Sequence, residues 1–156
     1  TSASLAQLVN VIAPIMTEPG GPAWRQTTFY PFSLTSQLAR GIALELKLDS
    51  PTYQTSKFGE VPVVDAVATH DPDSDAITVF AVNRSITDAV TLDIDAAALG
   101  KGIASAAATS VFDDDIHAAN TVEQPDRVTP KANDSVTVAD GVVSVTLPPC
   151  SWTVLT

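Results

Sequence analysis

From residue 41 onward, apolar and polar positions alternate with a period of two. In "GIALELKLD", Ile42, Leu44, Leu46 and Leu48 fall on one face and Glu45 and Lys47 on the other, the pattern of a half-buried strand. "VPVVDAVATH" and "AITVFAVNR" follow, the latter apolar on both faces, as a central strand would be. "AVTLDID" alternates again, with Val90, Leu92 and Ile94 opposite Thr91, Asp93 and Asp95. In "SVTVADGVVSVTL", Asp140-Gly141 stands between two alternating runs, a strong hairpin signal, and "SWTVLT" reads as a last strand. Short turns rich in Asp, Gly, Asn and Pro separate these runs, with no helix-length pattern between them. About seven or eight strands are expected, in an antiparallel β-sandwich. The stretch "AAALGKGIASAAATS" is Ala-rich without being a repeat.

Before residue 41 the character changes. "TTFYPFSLTSQLARG" predicts a short helix: Thr27 or Thr28 caps it, Pro31 is tolerated in its first turn, Tyr30, Leu34 and Leu38 recur every four residues, and Gly41 ends it. Upstream, "AQLVNVIAPIMTEPGGPAWRQTTFYPF" holds a mostly apolar run, a Pro-Gly-Gly-Pro break and four of the nine aromatics. A helix with an aromatic-rich face needs a partner, and no other segment reads as one. The first forty or so residues are therefore expected to belong to a structure larger than the chain.

The 156 residues are 45% hydrophobic and 17% charged, enough apolar surface for a packed core. A formal charge of -10, mostly from clustered aspartates, makes nucleic acid and anionic membranes poor partners and leaves a neutral sugar unaffected. No apolar run approaches the roughly 18 residues of a membrane span, and no leader pattern is visible. A cytoplasmic setting is expected. The single cysteine, Cys150 in "LPPCSW", is expected to be a small packed side chain.

Candidate chemistry is sparse. "DPDSD", residues 71–75, opens like an EF-hand loop, but Ala76 and Val82 stand where that loop needs Gly and Glu, so it reads as a solvated hairpin turn. "FDDDIH" places Asp113, Asp114, Asp115 and His117 together; adjacent side chains diverge and no second cluster completes a shell, so a surface loop is expected rather than a metal site. His70 falls at a strand end, as a turn residue. Glycoside hydrolysis needs two facing carboxyl groups, and among Glu18, Glu45, Glu60 and Glu123 no pair stands out. Neither a Ser/His/Asp nor a Cys/His set has supporting context. No catalytic residue, metal site or cofactor is expected.

Three segments carry a resemblance: "LAQLVNVIAPIMTEPGGPAWRQTTFYPF", "NTVEQPDRVTP" (120–130) and the terminal "LPPCSWTVLT". In order and spacing they resemble the C-terminal third of the α-L-arabinofuranosidases of glycoside hydrolase family 51. The resemblance implies a (β/α)8 barrel followed by a β-sandwich of jelly-roll type, in a retaining enzyme that removes terminal arabinofuranosyl groups from arabinan, arabinoxylan and arabino-oligosaccharides. It implies that both catalytic glutamates lie upstream of these residues. It places a strand end at about residues 3–7, followed by a loop rather than the buried strand that periodicity favours. It also makes Gln7 similar in position to a side chain that hydrogen-bonds arabinofuranose. That site suits a barrel, whose active sites form at the C-terminal ends of its strands, and an amide offers sugar hydroxyls both donors and an acceptor. The alternative for Gln7 is that it merely satisfies local backbone. Trp24 is read either as a stacking platform or as interface packing.

The expected fold is thus all-β, an antiparallel β-sandwich over residues 40–156, preceded in residues 1–39 by the last strand end, loop and helix of a (β/α)8 barrel. The resemblance further implies that the sandwich borrows a strand from the start of the enzyme. The expected partners are an arabinofuranosyl oligosaccharide or polysaccharide, the catalytic barrel, and further copies in a homo-oligomer. An autonomous carbohydrate-binding module is the alternative, weakened because Tyr53, Phe58, Phe80, Phe112 and Trp152 read mostly as core. A purely structural interaction domain is a third reading.

Overall fold

The computed structural model describes residues 3–97 and 102–156. Part of the Ala-rich stretch, 98–101, lies outside the described residues. The N-terminal segment forms a small hairpin, β1 (Ile15–Thr17) and β2 (Ala23–Arg25), then the helix α1 (Phe29–Leu38). The Pro-Gly-Gly-Pro break is the hairpin's turn, closed by Glu18 N–H donating to Pro22 O and Gly21 N–H to Glu18 O. Residues 3–7 are in no strand. The expected strand end is absent there because a strand needs a hydrogen-bonded neighbour, and among the described residues none lies alongside.

Helix α1 falls where the four-residue recurrence predicts, two residues shorter at its start and three at its end than the quoted segment allows. Thr28 caps its start without a side-chain hydrogen bond, and Ala39 caps its end. Contrary to expectation, the chain does supply the helix with a partner. Tyr30 is buried against Val111 and Val128, with Trp152 beside them. Gly41 then turns the chain with φ +75, so close to the His70 carbonyl that no side chain fits.

The strands that follow are β3 (Ile42–Leu44), β4 (Thr52–Thr55), β5 (Gly59–Pro62), β6 (Val64–Asp71), β7 (Ala76–Asn83), β8 (Val90–Asp95), β9 (Ala108–Val111), β10 (Lys131–Ala132), β11 (Thr137–Ala139), β12 (Val142–Leu147) and β13 (Ser151–Leu155). All pair antiparallel. One sheet runs β10-β9-β13-β7-β6-β3, a second runs β11-β12-β8, and β4-β5 stands apart as a hairpin. Val64, Ala68, Val79, Ala81 and Leu155 of the larger sheet meet Leu92, Val143, Val145 and Leu147 of the smaller in one buried core. This is an antiparallel β-sandwich. Removing those aliphatic side chains from water stabilises it by roughly 1.5–3 kcal/mol for each large residue.

Strand β7 is central, as its two-sided apolar pattern predicts. Val79 and Ala81 face the inter-sheet core, while Phe80 turns to the opposite face beside Trp152, with ring centroids 6.0 Å apart. Asp140 (φ 50) and Gly141 (φ 83) make the left-handed two-residue turn between β11 and β12. The inner face also buries a polar seam: the Ser110 and Thr153 hydroxyls lie 2.7 Å apart, and Asn133 Nδ2 donates to Ser110 Oγ.

Three expectations fail. The alternation in "GIALELKLD" gives only the three residues of β3. It pairs β6 from Ile42 to Leu44 and then leaves the edge, so Leu46 and Leu48 are exposed and Glu45 lies outside any strand. The β4-β5 hairpin, β9 and the two-residue β10 carry no clear period-two signal, which is why eleven strands follow α1 among the described residues rather than seven or eight. Cys150 is exposed, not packed: its φ of 47 puts it in a left-handed turn before β13, where its N–H donates to Ser85 O.

Candidate functional site

The N-terminal segment contributes one cleft, lined by Leu5, Gln7, Pro14, Ile15, Phe32 and Gln37. Its walls come from the irregular stretch 3–8, the start of β1 and one face of α1. The walls are held locally. Gln26 N–H donates to Pro14 O and Phe29 N–H to Gln26 O, so the helix start is tied to the loop that precedes β1. Gln7 is exposed, and its side chain makes no hydrogen bond among the described residues. Its amide is free to offer two donors and an acceptor to a ligand.

Asn10 organises the loop between Gln7 and β1. Its Nδ2 donates to Thr17 Oγ1 at 2.9 Å, its Oδ1 accepts Thr17 N–H at 2.7 Å, and its own N–H donates to Ile15 O at 2.8 Å. The signal in the sequence is a lone amide inside an apolar run, which periodicity does not assess. Trp24 has interface character: its Nε1–H donates to Asn120 O at 3.1 Å. Asn120, nearly fully buried, donates from Nδ2 to Arg25 O and Val128 O and accepts Val128 N–H at Oδ1. The segments 6–32 and 120–130, separate in sequence, are thereby brought together.

Elsewhere the polar clusters are internally satisfied. In the turn 71–75, Asp71 accepts Asp73 N–H and the Ser74 hydroxyl, and these bonds, the hydroxyl's first, hold its carboxyl below the ordinary value of 3.8. His70 Nε2 lies 2.9 Å from Asp75 Oδ1. Another, mostly apolar cleft opens beside it at the end of the sandwich, lined by Ile77, Ile94 and Ile103. In the exposed loop containing "FDDDIH", Arg127 bridges Asp113 and Asp115, an ion-pair set that the sequence did not reveal. Asp113 and Asp115 are both pushed below the ordinary carboxylate range, chiefly by accepting the backbone N–H of Asp115 and of His117, with Arg127 adding to it.

Glu18, Glu45, Glu60 and Glu123 are exposed on separate segments, and Glu60 accepts the Thr52 hydroxyl across the β4-β5 hairpin. Tyr53 and Phe58 are exposed on that hairpin, Phe58 at 73%, which corrects their reading as core. Lys57 Nζ sits 5.4 Å from the Phe58 ring centroid. Among the described residues, no helix is long and apolar enough to cross a membrane.

The sequence matches the α-L-arabinofuranosidase C-terminal domain over residues 1–151. It is 56% identical to an exo-α-(1→6)-L-arabinofuranosidase of Bifidobacterium longum and 49% identical to an intracellular exo-α-(1→5)-L-arabinofuranosidase of Streptomyces lividans. Each comparison covers 97% of this chain but only 29% and 23% of those proteins, so the chain spans about a quarter of the relatives' length. Among solved structures, a family 51 α-L-arabinofuranosidase of Bifidobacterium longum superposes with TM-score 0.90 at 45% identity, over 99% of this chain and 30% of that one. The family 51 arabinofuranosidase of Xanthomonas axonopodis pv. citri follows with TM-score 0.85 at 26% identity, over 96% of this chain and 30% of its own. The chain belongs to the α-L-arabinofuranosidase C-terminal domain family.

Proposed function

We propose that this chain is the C-terminal part of a retaining family 51 α-L-arabinofuranosidase, an intracellular enzyme that releases terminal non-reducing α-L-arabinofuranosyl residues from arabinan, arabinoxylan and arabino-oligosaccharides. Residues 1–39 are the tail of its (β/α)8 barrel and residues 40–156 its jelly-roll sandwich. The sandwich supports the barrel and contributes to oligomer contacts. Both catalytic glutamates lie on the barrel upstream of these residues, and Gln7 hydrogen-bonds the sugar at the barrel's C-terminal end. The observation that carries the reading is the superposition of 99% of this chain on 30% of a family 51 enzyme.

The surface supports it. Leu8, Val11 and Ile12 are each more than 70% exposed, and Leu5, Val9 and Phe32 lie near them. Leu5, Leu8 and Phe32 line one cleft, and exposed apolar side chains concentrated in this way fit a surface that is covered in the complete protein. The four glutamates, exposed on separate segments, are consistent with it. The test is turnover of an aryl α-L-arabinofuranoside. The full-length gene product should hydrolyse it and the 156-residue chain should not; activity in the chain alone would refute the division of labour.

A second reading, an autonomous carbohydrate-binding module, draws on the exposed Tyr53 and Phe58. Titration with arabino-oligosaccharides separates the two. Saturable binding abolished by Tyr53→Ala or Phe58→Ala would favour the module.

A further inference from the structure

We propose that Asn10 is a positioning residue for the sugar site, holding the Pro14 and Ile15 wall of the cleft opposite Gln7. The inference rests on the reading of Gln7 as a sugar-binding amide. Its starting observation is backbone geometry: Asn10 and Val11 are consecutive residues in the left-handed region, at φ 62 and φ 58. Asn adopts that region readily. Val does not, because its branched Cβ crowds the following carbonyl. A strained pair of this kind persists only where surrounding interactions over-determine it.

Those interactions converge on one amide. Asn10 uses its donor and its acceptor on the same residue, Thr17, and its backbone N–H on Ile15, while Ala13 N–H closes back on Asn10 O. Val9 bridges Ile15 in parallel, so the chain that leaves Gln7 is drawn back alongside itself within eight residues. Ala13 and Pro14 are buried beneath the turn, and Pro14 and Ile15 face the same cleft as Gln7. Leu cannot reproduce the clamp, because it lacks both groups, whereas Asp keeps the acceptor for Thr17 N–H and holds Thr17 Oγ1 only if the hydroxyl turns to donate. Without the clamp, Val11 relaxes toward negative φ and residues 11–14 swing, carrying the wall away from Gln7. Displacements of about 1 Å at a site cost up to about 100-fold in rate.

The test is a double-mutant cycle in the full-length enzyme, read as kcat/KM on an aryl α-L-arabinofuranoside. Asn10→Ala is expected to lower kcat/KM by about 10- to 100-fold, with Thr17→Val, a milder cut at the same hydrogen bond, lowering it in the same direction. Because the wall that Asn10 holds works by seating the sugar against the Gln7 amide, its position matters only while that amide is present, and Asn10→Ala made in a Gln7→Ala background should cost less than about twofold further. A merely structural role would multiply: the same fold-loss in both backgrounds overturns the proposal, as does wild-type kcat/KM in Asn10→Ala. Should Asn10→Ala fail to fold, the Thr17→Val cycle with Gln7→Ala decides on the same criteria. Gln7→Ala with wild-type kinetics would instead overturn the reading of Gln7 itself, and the positioning role with it.

Discussion

Replacing Asn120 with alanine should loosen the loop on which the N-terminal segment docks, while leaving the Trp24 bond to the Asn120 backbone carbonyl in place. Asn120 is 3% exposed, and its side chain satisfies three backbone groups: it donates to Arg25 O at 3.0 Å and Val128 O at 2.9 Å, and accepts Val128 N–H at 2.7 Å. Val128 is itself 4% exposed, so water cannot replace either of its bonds. A buried backbone group left without a partner costs about 1–3 kcal/mol, so the two on Val128 set the loss at about 2–6 kcal/mol. Arg25 is an exposed residue, so its carbonyl is expected to add less. Against a total stability of about 5–15 kcal/mol this is a large fraction. Urea unfolding followed by fluorescence reports it directly, since Trp24 hydrogen-bonds the Asn120 carbonyl and Trp152 lies under the same patch. With a slope of about 1–3 kcal/mol per molar urea, the midpoint should fall by at least about 0.7 M. Asn120→Asp is the sharper probe. It keeps the acceptor for Val128 N–H but aims a carboxylate oxygen at two carbonyls, so it should be no more stable than the alanine variant. A loss under about 0.5 kcal/mol for Asn120→Ala, or an aspartate variant clearly more stable than it, would refute the reasoning.

Gly41→Ala should destabilise by at least about 2 kcal/mol, because the residue sits in the left-handed region and its new Cβ would lie 2.1 Å from His70 O, a backbone atom that cannot step aside; an unchanged thermal midpoint would refute this. The depressed carboxyls of Asp113 and Asp115 set a pH dependence. Because their folded values lie below the ordinary 3.8, their contribution is fully present above that pH and is lost as pH falls through the folded values. Asp113→Asn should therefore lower stability at pH 7 and flatten the decline below about pH 4, with identical pH profiles for variant and wild type counting against it.

The alternation was sufficient to find β6, β7, β8, β12 and β13, because a sheet with one face in a core imposes a period of two wherever it is long enough. Asp140-Gly141 was equally legible, since its left-handed backbone restricts the residue types that can occupy it. Leu46 and Leu48 mislead for the complementary reason. Alternation records a capacity to pair, and the edge of β6 offers β3 only three partners. Strand β9, "ATSV", has no contrast to read: its Ser110 is buried because the Thr153 and Asn133 side chains meet it from other parts of the chain.

The candidate site shows the same division. Gln7 emerged from resemblance alone, since an exposed glutamine beside an apolar run has no periodic signature. The Asn10 clamp, the Asn120 junction and the Arg127 bridge across Asp113 and Asp115 were not readable, because each depends on which polar groups the fold brings within reach of one another. By itself the sequence determined the class of fold, the central strand, the tight turn and the helix after the Pro-Gly-Gly-Pro break, all of which follow from local periodicity and backbone preference. Only the tertiary structure decided which apolar positions are covered, where the helix docks and which amides act as fasteners. Burial and hydrogen-bond pairing are properties of neighbours, and neighbours distant along the chain are chosen by the fold.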